Sequence, residues 1–163
     1  MKNITIDGKE YTLEYTIGAS LYEECITSIV GLIGTIAMGS ENENTREAML
    51  EQVAIMGGLP KVAATVFYAG LLEHHGTGEY AGETSDMTIP DKKAVYSLFR
   101  KYNAENKESG KGSWMDIFNL CLECMGDDDF FGMIGLEEMM QTQGIETVTP
   151  KKTARTKKKD GEK

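Results

Sequence analysis

The chain has few of the residues that build disulfide frameworks and metal centres. Its 163 residues include three cysteines and two histidines. A small secreted domain held by disulfides carries a larger, paired set of cysteines, so we exclude that class. The hydrophobic fraction of 40% and the charged fraction of 26% are typical of a globular protein whose core needs no crosslinks.

A long hydrophobic run is also lacking. The longest apolar stretch, residues 26–38, is interrupted by threonine, serine and glycine and is shorter than the ~20 residues that span a bilayer. The opening residues, MKNITIDGKEY, do not contain the apolar core of a secretory signal. We therefore expect a cytoplasmic protein.

Glycine is plentiful, but its phosphate-binding motifs are missing. Neither GxGxxG nor GxxxxGK[ST] occurs. No spacing of serine, cysteine, histidine and aspartate indicates a nucleophilic triad. We predict that the protein is not an enzyme and uses no cofactor.

Charge is distributed unevenly along the chain. Residues 151–163 hold seven basic and two acidic residues, a net charge of +5, while the whole chain carries −9. Residues 1–150 therefore carry −14, which repels nucleic acid and anionic membranes and favours a neutral or basic partner. The lysines at 157–159 are either a solvated terminus or a contact for nucleic acid or an acidic protein.

The clearest local pattern is a β-hairpin near the start. Two runs of alternating apolar and polar residues flank Asp7-Gly8, a dipeptide that readily takes the positive φ angles of a two-residue turn. Folding there puts one apolar set on the same side of both strands: Ile4, Ile6, Tyr11, Leu13 and Tyr15. Because a lone hairpin is barely stable in water, we expect this face to pack on helices.

Helical periodicity begins directly after the hairpin. Apolar spacings predict a helix over 17–38, with Leu21 and Cys25 on its apolar stripe and a break or close contact near Gly31. A second helix is predicted from the cap Asn44 to Gly57-Gly58. A third, over 60–74, is apolar nearly all round, as is typical of a buried central helix.

Capping patterns mark the later helices. TIPD at Thr88 predicts the start of a fourth helix and SWMD at Ser113 that of a fifth, with a short sixth after Gly126. The predicted fold class is α+β, an N-terminal β-hairpin packed on a cluster of about five or six α-helices. We expect one domain over 1–143 and a disordered basic tail over 144–163, where no apolar pattern repeats.

Cys121-x-x-Cys124 is the strongest candidate for metal or redox chemistry. A structural zinc needs four ligands, and Cys25 with the adjacent His74 and His75 does not supply a second pair at the usual spacing. A thioredoxin-like motif would follow a strand in a βαβ unit. We predict structural cysteines inside an amphipathic helix, with a metal-dependent or redox enzyme as the alternative.

The remaining polar clusters have simpler interpretations. His74 and His75 end a helix, where imidazole complements the dipole. The three aspartates at 127–129 do not have EF-hand spacing and precede a helix, where negative charge is expected. Neither cluster predicts a site.

Methionine is the most informative residue type for binding. The chain has ten, and several share the last helical region with two phenylalanines. Flexible, polarizable methionine suits surfaces that adapt to a partner, although filling of the core is the alternative. We predict a partner-binding patch of Phe130, Phe131, Met133, Met139 and Met140.

Three segments together resemble a known family. The opening reads ITIDGKEYTLEYTIGASLYEE, a hairpin on Asp-Gly that enters a helix, the centre reads VFYAGLLEHH, and KKAVYSLFRKY follows a loop. Over residues 3–105 this arrangement resembles the tail assembly chaperones of long-tailed (siphovirus-type) bacteriophages or prophages. The patch at 130–140 lies outside the resemblance.

The resemblance implies a protein that coats the helical tape-measure protein and guides tail-tube subunits onto it in the host bacterial cytoplasm. Because the acidic body repels anionic membranes and nucleic acid, we expect no membrane partner and disfavour nucleic acid, while self-association stays open. The alternative is a structural tail or head–tail connector protein of a phage or prophage. A tail-tube subunit would need a larger sheet than one hairpin.

Overall fold

The fold is a two-stranded hairpin followed by helices, as the computed structural model shows. It describes residues 1–39, 46–136 and 138, with the backbone alone for 33–39 and 46–56. In chain order the elements are β1 (Lys2–Ile6), β2 (Lys9–Leu13), α1 (Ile17–Leu21), α2 (Glu23–Gly39), α3 (Arg46–His75), α4 (Lys92–Asn106), a 3₁₀ turn (Lys107–Ser109), α5 (Trp114–Asp127) and α6 (Phe130–Met133). The predicted α+β class is confirmed. The predicted cap Asn44 and the tail 144–163 lie outside the described residues.

The hairpin has the predicted turn and register. Asp7 and Gly8 have φ angles of 54° and 71°, the positive pair of a type I′ turn. Ile4 pairs with Tyr11 across the antiparallel strands. The apolar face is buried, with Leu13 completely inaccessible, and it packs on α3.

The C-terminal half of α3 is the centre of the core, as predicted. Its buried residues include Ala63, Val66 and Phe67, and the helix contacts β2, α2, α4 and α5. The helix lies close to the hairpin at Gly70, where a Cβ would approach the Tyr15 ring to 2.9 Å. This close approach explains why the position is glycine.

The predicted stop at Gly57-Gly58 is wrong, because α3 runs unbroken for 30 residues and contains Pro60. Proline removes one backbone hydrogen bond and glycine weakens a helix by about 1 kcal/mol. Leu59 and Ala63, on either side of the proline, are buried. Packing along the core therefore outweighs the local preference to stop.

The single helix predicted over 17–38 is also wrong, because the helix is interrupted at Tyr22. This residue has an extended backbone, with φ −78° and ψ 91°, and it separates α1 from α2. The helix continues through Gly31, where a break or a close contact was expected. The turn at Tyr22 reorients α1, so that Cys25 is buried but Leu21 is exposed.

Two later helices start with side-chain caps. Asp91 caps α4 by accepting hydrogen bonds from the N–H groups of Lys93 (2.9 Å) and Ala94 (3.0 Å), so the predicted cap at Thr88 lies three residues too early. The predicted capping box of α5 is confirmed, with Ser113 and Asp116 bonding each other's backbone N–H groups. The short α6 is confirmed too.

Candidate protein-binding surface

In the short helix α1 the large apolar side chains are exposed and a small residue is buried, the reverse of an ordinary packed helix. Its large apolar residues face outward, since Ile17 is 68% exposed and Leu21 is 61% exposed. These two residues are four apart and therefore lie on one side of the helix. The small residue Ala19 is buried in their place.

A tight backbone contact holds α1 in this orientation. A Cβ on Gly18 would lie 2.4 Å from the carbonyl oxygen of Tyr80, closer than any real side chain approaches. Only glycine lets α1 rest against the loop between α3 and α4. Because Gly18 and Ala19 face the molecule, Ile17 and Leu21 face solvent.

Aromatic side chains lie beside the exposed pair. The Tyr22 ring packs edge-on against Tyr68, with centroids 5.6 Å apart, and lies 6.1 Å from Tyr80. Tyr22 and Tyr80 are both half-buried. We define the α1 surface as Ile17, Leu21, Tyr22 and Tyr80.

Carboxylates surround this apolar centre. Glu23 and Glu24 are exposed at the start of α2 and Glu79 is exposed next to Tyr80. Hydrogen bonding to Glu79, with the charges of Glu79 and Glu23, raises the pKa of Tyr80. Glu24 is paired with Lys92, which lowers the pKa of the Glu24 carboxyl. Glu23 and Glu79 are in no ion pair among the described residues, so the α1 surface is an apolar centre whose rim is acidic through these two side chains.

The residues predicted from sequence as a binding patch are divided between core and surface. Phe130 is completely buried, with its ring 5.3 Å from that of Tyr15, so a surface role for it is wrong. Phe131 is partly buried against the core, and Met133 is 46% exposed. For Met133 partner binding stays a prediction, and Met139 and Met140 lie outside the described residues.

The cysteines have the environment of structural thiols. Cys25, Cys121 and Cys124 are buried, and burial raises the pKa of each thiol to about 12. A thiol protonated at neutral pH is a poor nucleophile and metal ligand. Cys124 instead donates to the carbonyl oxygen of Leu13 at 3.3 Å. In the described part of the chain, no group of three or more histidine, cysteine or acidic residues could hold a metal ion.

Each histidine has a carboxylate partner that sequence spacing could not reveal. His74 Nε2 lies 2.7 Å from Glu14, which is sixty residues away in the chain. Buried His75 accepts a hydrogen bond from the Thr12 N–H at Nε2 (3.0 Å), so its proton is on Nδ1. That nitrogen lies 3.0 Å from Asp86 but off the direction of a straight hydrogen bond. The His74–Glu14 and His75–Thr12 contacts connect the second strand of the hairpin and the residue after it to the end of α3.

One residue of the aspartate run has a structural role that the interpretation as helix-terminal charge missed. Asp128 closes the C-terminus of α5 and accepts a hydrogen bond from the Tyr15 N–H at 2.9 Å. The Met1 ammonium also contacts it. Burial opposes ionisation, but the hydrogen bonds from Met1 and Tyr15 lower the pKa of Asp128 below its usual value. The signal was absent from the sequence because the partners are 113 residues apart.

Similarity to known proteins does not identify this surface. Comparison of the chain with protein-family models, curated proteins and solved structures found no match. Within the described residues, no helix is both long and apolar enough to cross a membrane. The α1 surface therefore has to be interpreted from its own geometry.

Proposed function

We propose that this protein is a phage or prophage tail assembly chaperone that binds apolar helices of the tape-measure protein and delivers tail-tube subunits to them. The α1 surface is the observation that carries this proposal. Ile17 and Leu21 are each more than 60% exposed on one side of a helix held in place by a glycine contact. An apolar patch held at the surface is typical of a binding site for another protein.

The rim of the α1 surface indicates which helices it accepts. Its apolar centre suits the apolar stripe of an amphipathic helix, and the carboxylates of Glu23 and Glu79 suit lysine or arginine beside that stripe. Two aliphatic side chains and two tyrosines impose little shape specificity. This combination favours many related segments along one long helical client.

The fold agrees with what the resemblance implies. The hairpin at Asp7-Gly8 enters helix directly, and the VFYAGLLEHH segment is the buried part of α3. In this proposal the protein acts in the host bacterial cytoplasm without a cofactor and is not an enzyme. It would leave the tail before the virion is complete.

The alternative is a structural tail or head–tail connector protein. A tail-tube subunit builds its wall from sheet, and within the described residues the only sheet has two strands. This favours the chaperone over a tube subunit. Purified particles distinguish the remaining connector role, since a connector would be present in them and an assembly chaperone would not.

Co-expression with the tape-measure protein tests the proposal directly. We expect the wild-type chain to keep the client soluble, and the double variant Ile17→Ser/Leu21→Ser to reduce the soluble client by about tenfold, because two apolar contacts are lost. Val30→Ser is the matched control, since Val30 is an exposed aliphatic residue of α2 outside the α1 surface. Client solubility that is the same with and without this protein would reject the chaperone role.

A further inference from the structure

A second surface, on α4 and the start of α5, differs in charge from the rest of the protein. Residues 1–150 contain ten basic residues, and six of them fall within 92–111. Only two acidic residues share that segment, so it carries +4 while the remainder of 1–150 carries −18. Basic charge is thus concentrated in one place on an acidic body.

The geometry of α4 arranges this charge in a line. Lys93, Tyr96 and Arg100 follow one another at spacings of three and four residues, so they lie on one side of the helix. All three are exposed. The two cations are about 10 Å apart along the axis, from a rise of about 1.5 Å per residue.

These two cations are not neutralised within the described part of the chain. Their neighbours are, because Lys92 pairs with Glu24, and Lys101 pairs with Asp7 at 2.6 Å. Lys93 and Arg100 have no side-chain carboxylate within 4 Å among the described residues. They remain available to an external carboxylate.

An aromatic platform lies beside the cations. Trp114 stacks face to face on Phe99, with ring centroids 3.5 Å apart and planes 9° apart. Tyr96 stands edge-on to Trp114, with ring centroids 6.2 Å apart, and is 39% exposed. We define the α4–α5 surface as Lys93, Tyr96, Arg100 and Trp114.

We propose that the α4–α5 surface binds an acidic peptide segment of a partner protein, with carboxylates on Lys93 and Arg100 and an aliphatic side chain on the Tyr96 and Trp114 rings. In a segment with the polyproline II conformation, which has three residues per turn and a rise of about 3.1 Å, two carboxylates three residues apart lie on one side about 9 Å apart and match the two cations. Arginine can also hold a carboxylate through two parallel hydrogen bonds.

The overall charge favours a short peptide over nucleic acid. A nucleic acid carries a phosphate at every step and would meet the −18 remainder of the body. A short acidic segment meets only the α4–α5 surface. This surface selects the opposite charge from the α1 surface, so the inference does not depend on the proposed chaperone role.

The only tryptophan of the chain is Trp114, and its fluorescence reports on this surface. We would titrate the full chain at low salt with the capped peptide GSELAELSG and with its neutral counterpart GSQLAQLSG. We expect a saturable change with the acidic peptide and at least roughly tenfold weaker binding of the glutamine peptide. Raising the salt concentration should weaken binding of the acidic peptide, since exposed charges are screened.

Two charge reversals separate this surface from a general charge effect. Arg100→Glu should weaken binding of the acidic peptide by roughly tenfold or more, because it replaces a cation that holds a carboxylate with a repelling negative charge. Lys61→Glu makes the same change of net charge on an exposed residue of α3 and should weaken it less than about twofold. Arg100→Gln, which retains helix propensity, should give an intermediate loss if α4 stays folded.

Three results would overturn the proposal. Equal binding of the two peptides would remove the carboxylate requirement. Tighter binding of a thymidine trinucleotide, which carries the same two negative charges, would assign the surface to nucleic acid. Self-association in sedimentation that Arg100→Glu abolishes would assign it to a second copy of this chain.

Discussion

The C-terminal half of α3 and the short helix α1 both contain large apolar residues. These side chains are buried in α3 and exposed in α1. In α3 the large side chains, such as Phe67, are inaccessible, because β2 and α5 pack against this helix. In α1 glycine and alanine face the molecule, and the large side chains Ile17 and Leu21 face solvent. The difference teaches that a helix packed between other elements uses its apolar side chains for stability, whereas a helix anchored by a glycine contact leaves them exposed to solvent.

The largest loss of stability should come from removing a large buried side chain of α3. Phe67→Ala removes a completely buried ring and should reduce the free energy of unfolding by about 3–5 kcal/mol. Urea denaturation followed by circular dichroism measures it. A loss below about 1 kcal/mol would show that α3 is not the centre of the core.

A smaller effect should follow from disturbing the anchor of α1. In Gly18→Ala the added methyl group meets the backbone of Tyr80, so α1 has to shift, with an expected loss of about 1–3 kcal/mol. Client binding should weaken in the same variant, measured by co-precipitation.

The matched control for Gly18→Ala is Gly57→Ala. Among the described residues, an added Cβ at Gly57 meets no atom within 4 Å outside its own stretch of helix, and the residue lies inside the unbroken α3. Alanine there should stabilise the protein by about 0.5–1 kcal/mol. A loss at Gly57 as large as that at Gly18 would refute both the close contact of α1 and the continuity of α3.

The tie between the end of β2 and α5 should have a moderate, pH-dependent effect. Asp128→Asn replaces the carboxylate that accepts the Tyr15 N–H and should reduce the free energy of unfolding by about 1–2 kcal/mol at pH 7. Since the pKa of Asp128 is lowered by folding, its stabilisation is present above the unfolded pKa of about 3.9 and is lost as pH falls through the folded value. Denaturation curves at pH 7 and at progressively lower pH should therefore converge for wild type and variant, and a constant difference would contradict this.

The smallest effect on stability should come from the exposed side of α1. Leu21→Ser should change the free energy of unfolding by less than about 0.5 kcal/mol, because the side chain is 61% exposed. The single helix first predicted over 17–38 would have placed Leu21 on a buried stripe, where loss of leucine is worth about 2–5 kcal/mol. Thermal denaturation thus distinguishes the two arrangements of α1.

Much of the fold could be predicted from short-range patterns. The Asp7-Gly8 turn, the Ser113 cap and the burial of the third predicted helix each depend on residues within a few positions of one another. The helix boundaries failed where packing outweighed local preference. Pro60 stayed inside α3, and Tyr22 broke a helix that its neighbours would have continued.

The candidate site could be predicted far less well. Methionine and phenylalanine content pointed to 130–140, yet Phe130 fills the core against Tyr15. Ile17 and Leu21 carried no signal of exposure, because their spacing is also that of a buried helix face. Only the contact between Gly18 and Tyr80, sixty-two positions apart, shows which side of α1 is turned outward.

By itself the sequence determined the hairpin, the helical class, the Ser113 cap of α5 and the acidic charge of the body, because turn chemistry, periodicity and charge act between neighbouring residues or simply add. Tertiary structure alone decided which apolar residues are exposed and which polar residues meet. The pairs His74–Glu14 and Tyr15–Asp128 join residues 60 and 113 positions apart. Such contacts depend on how the elements pack together, and no local pattern encodes that arrangement.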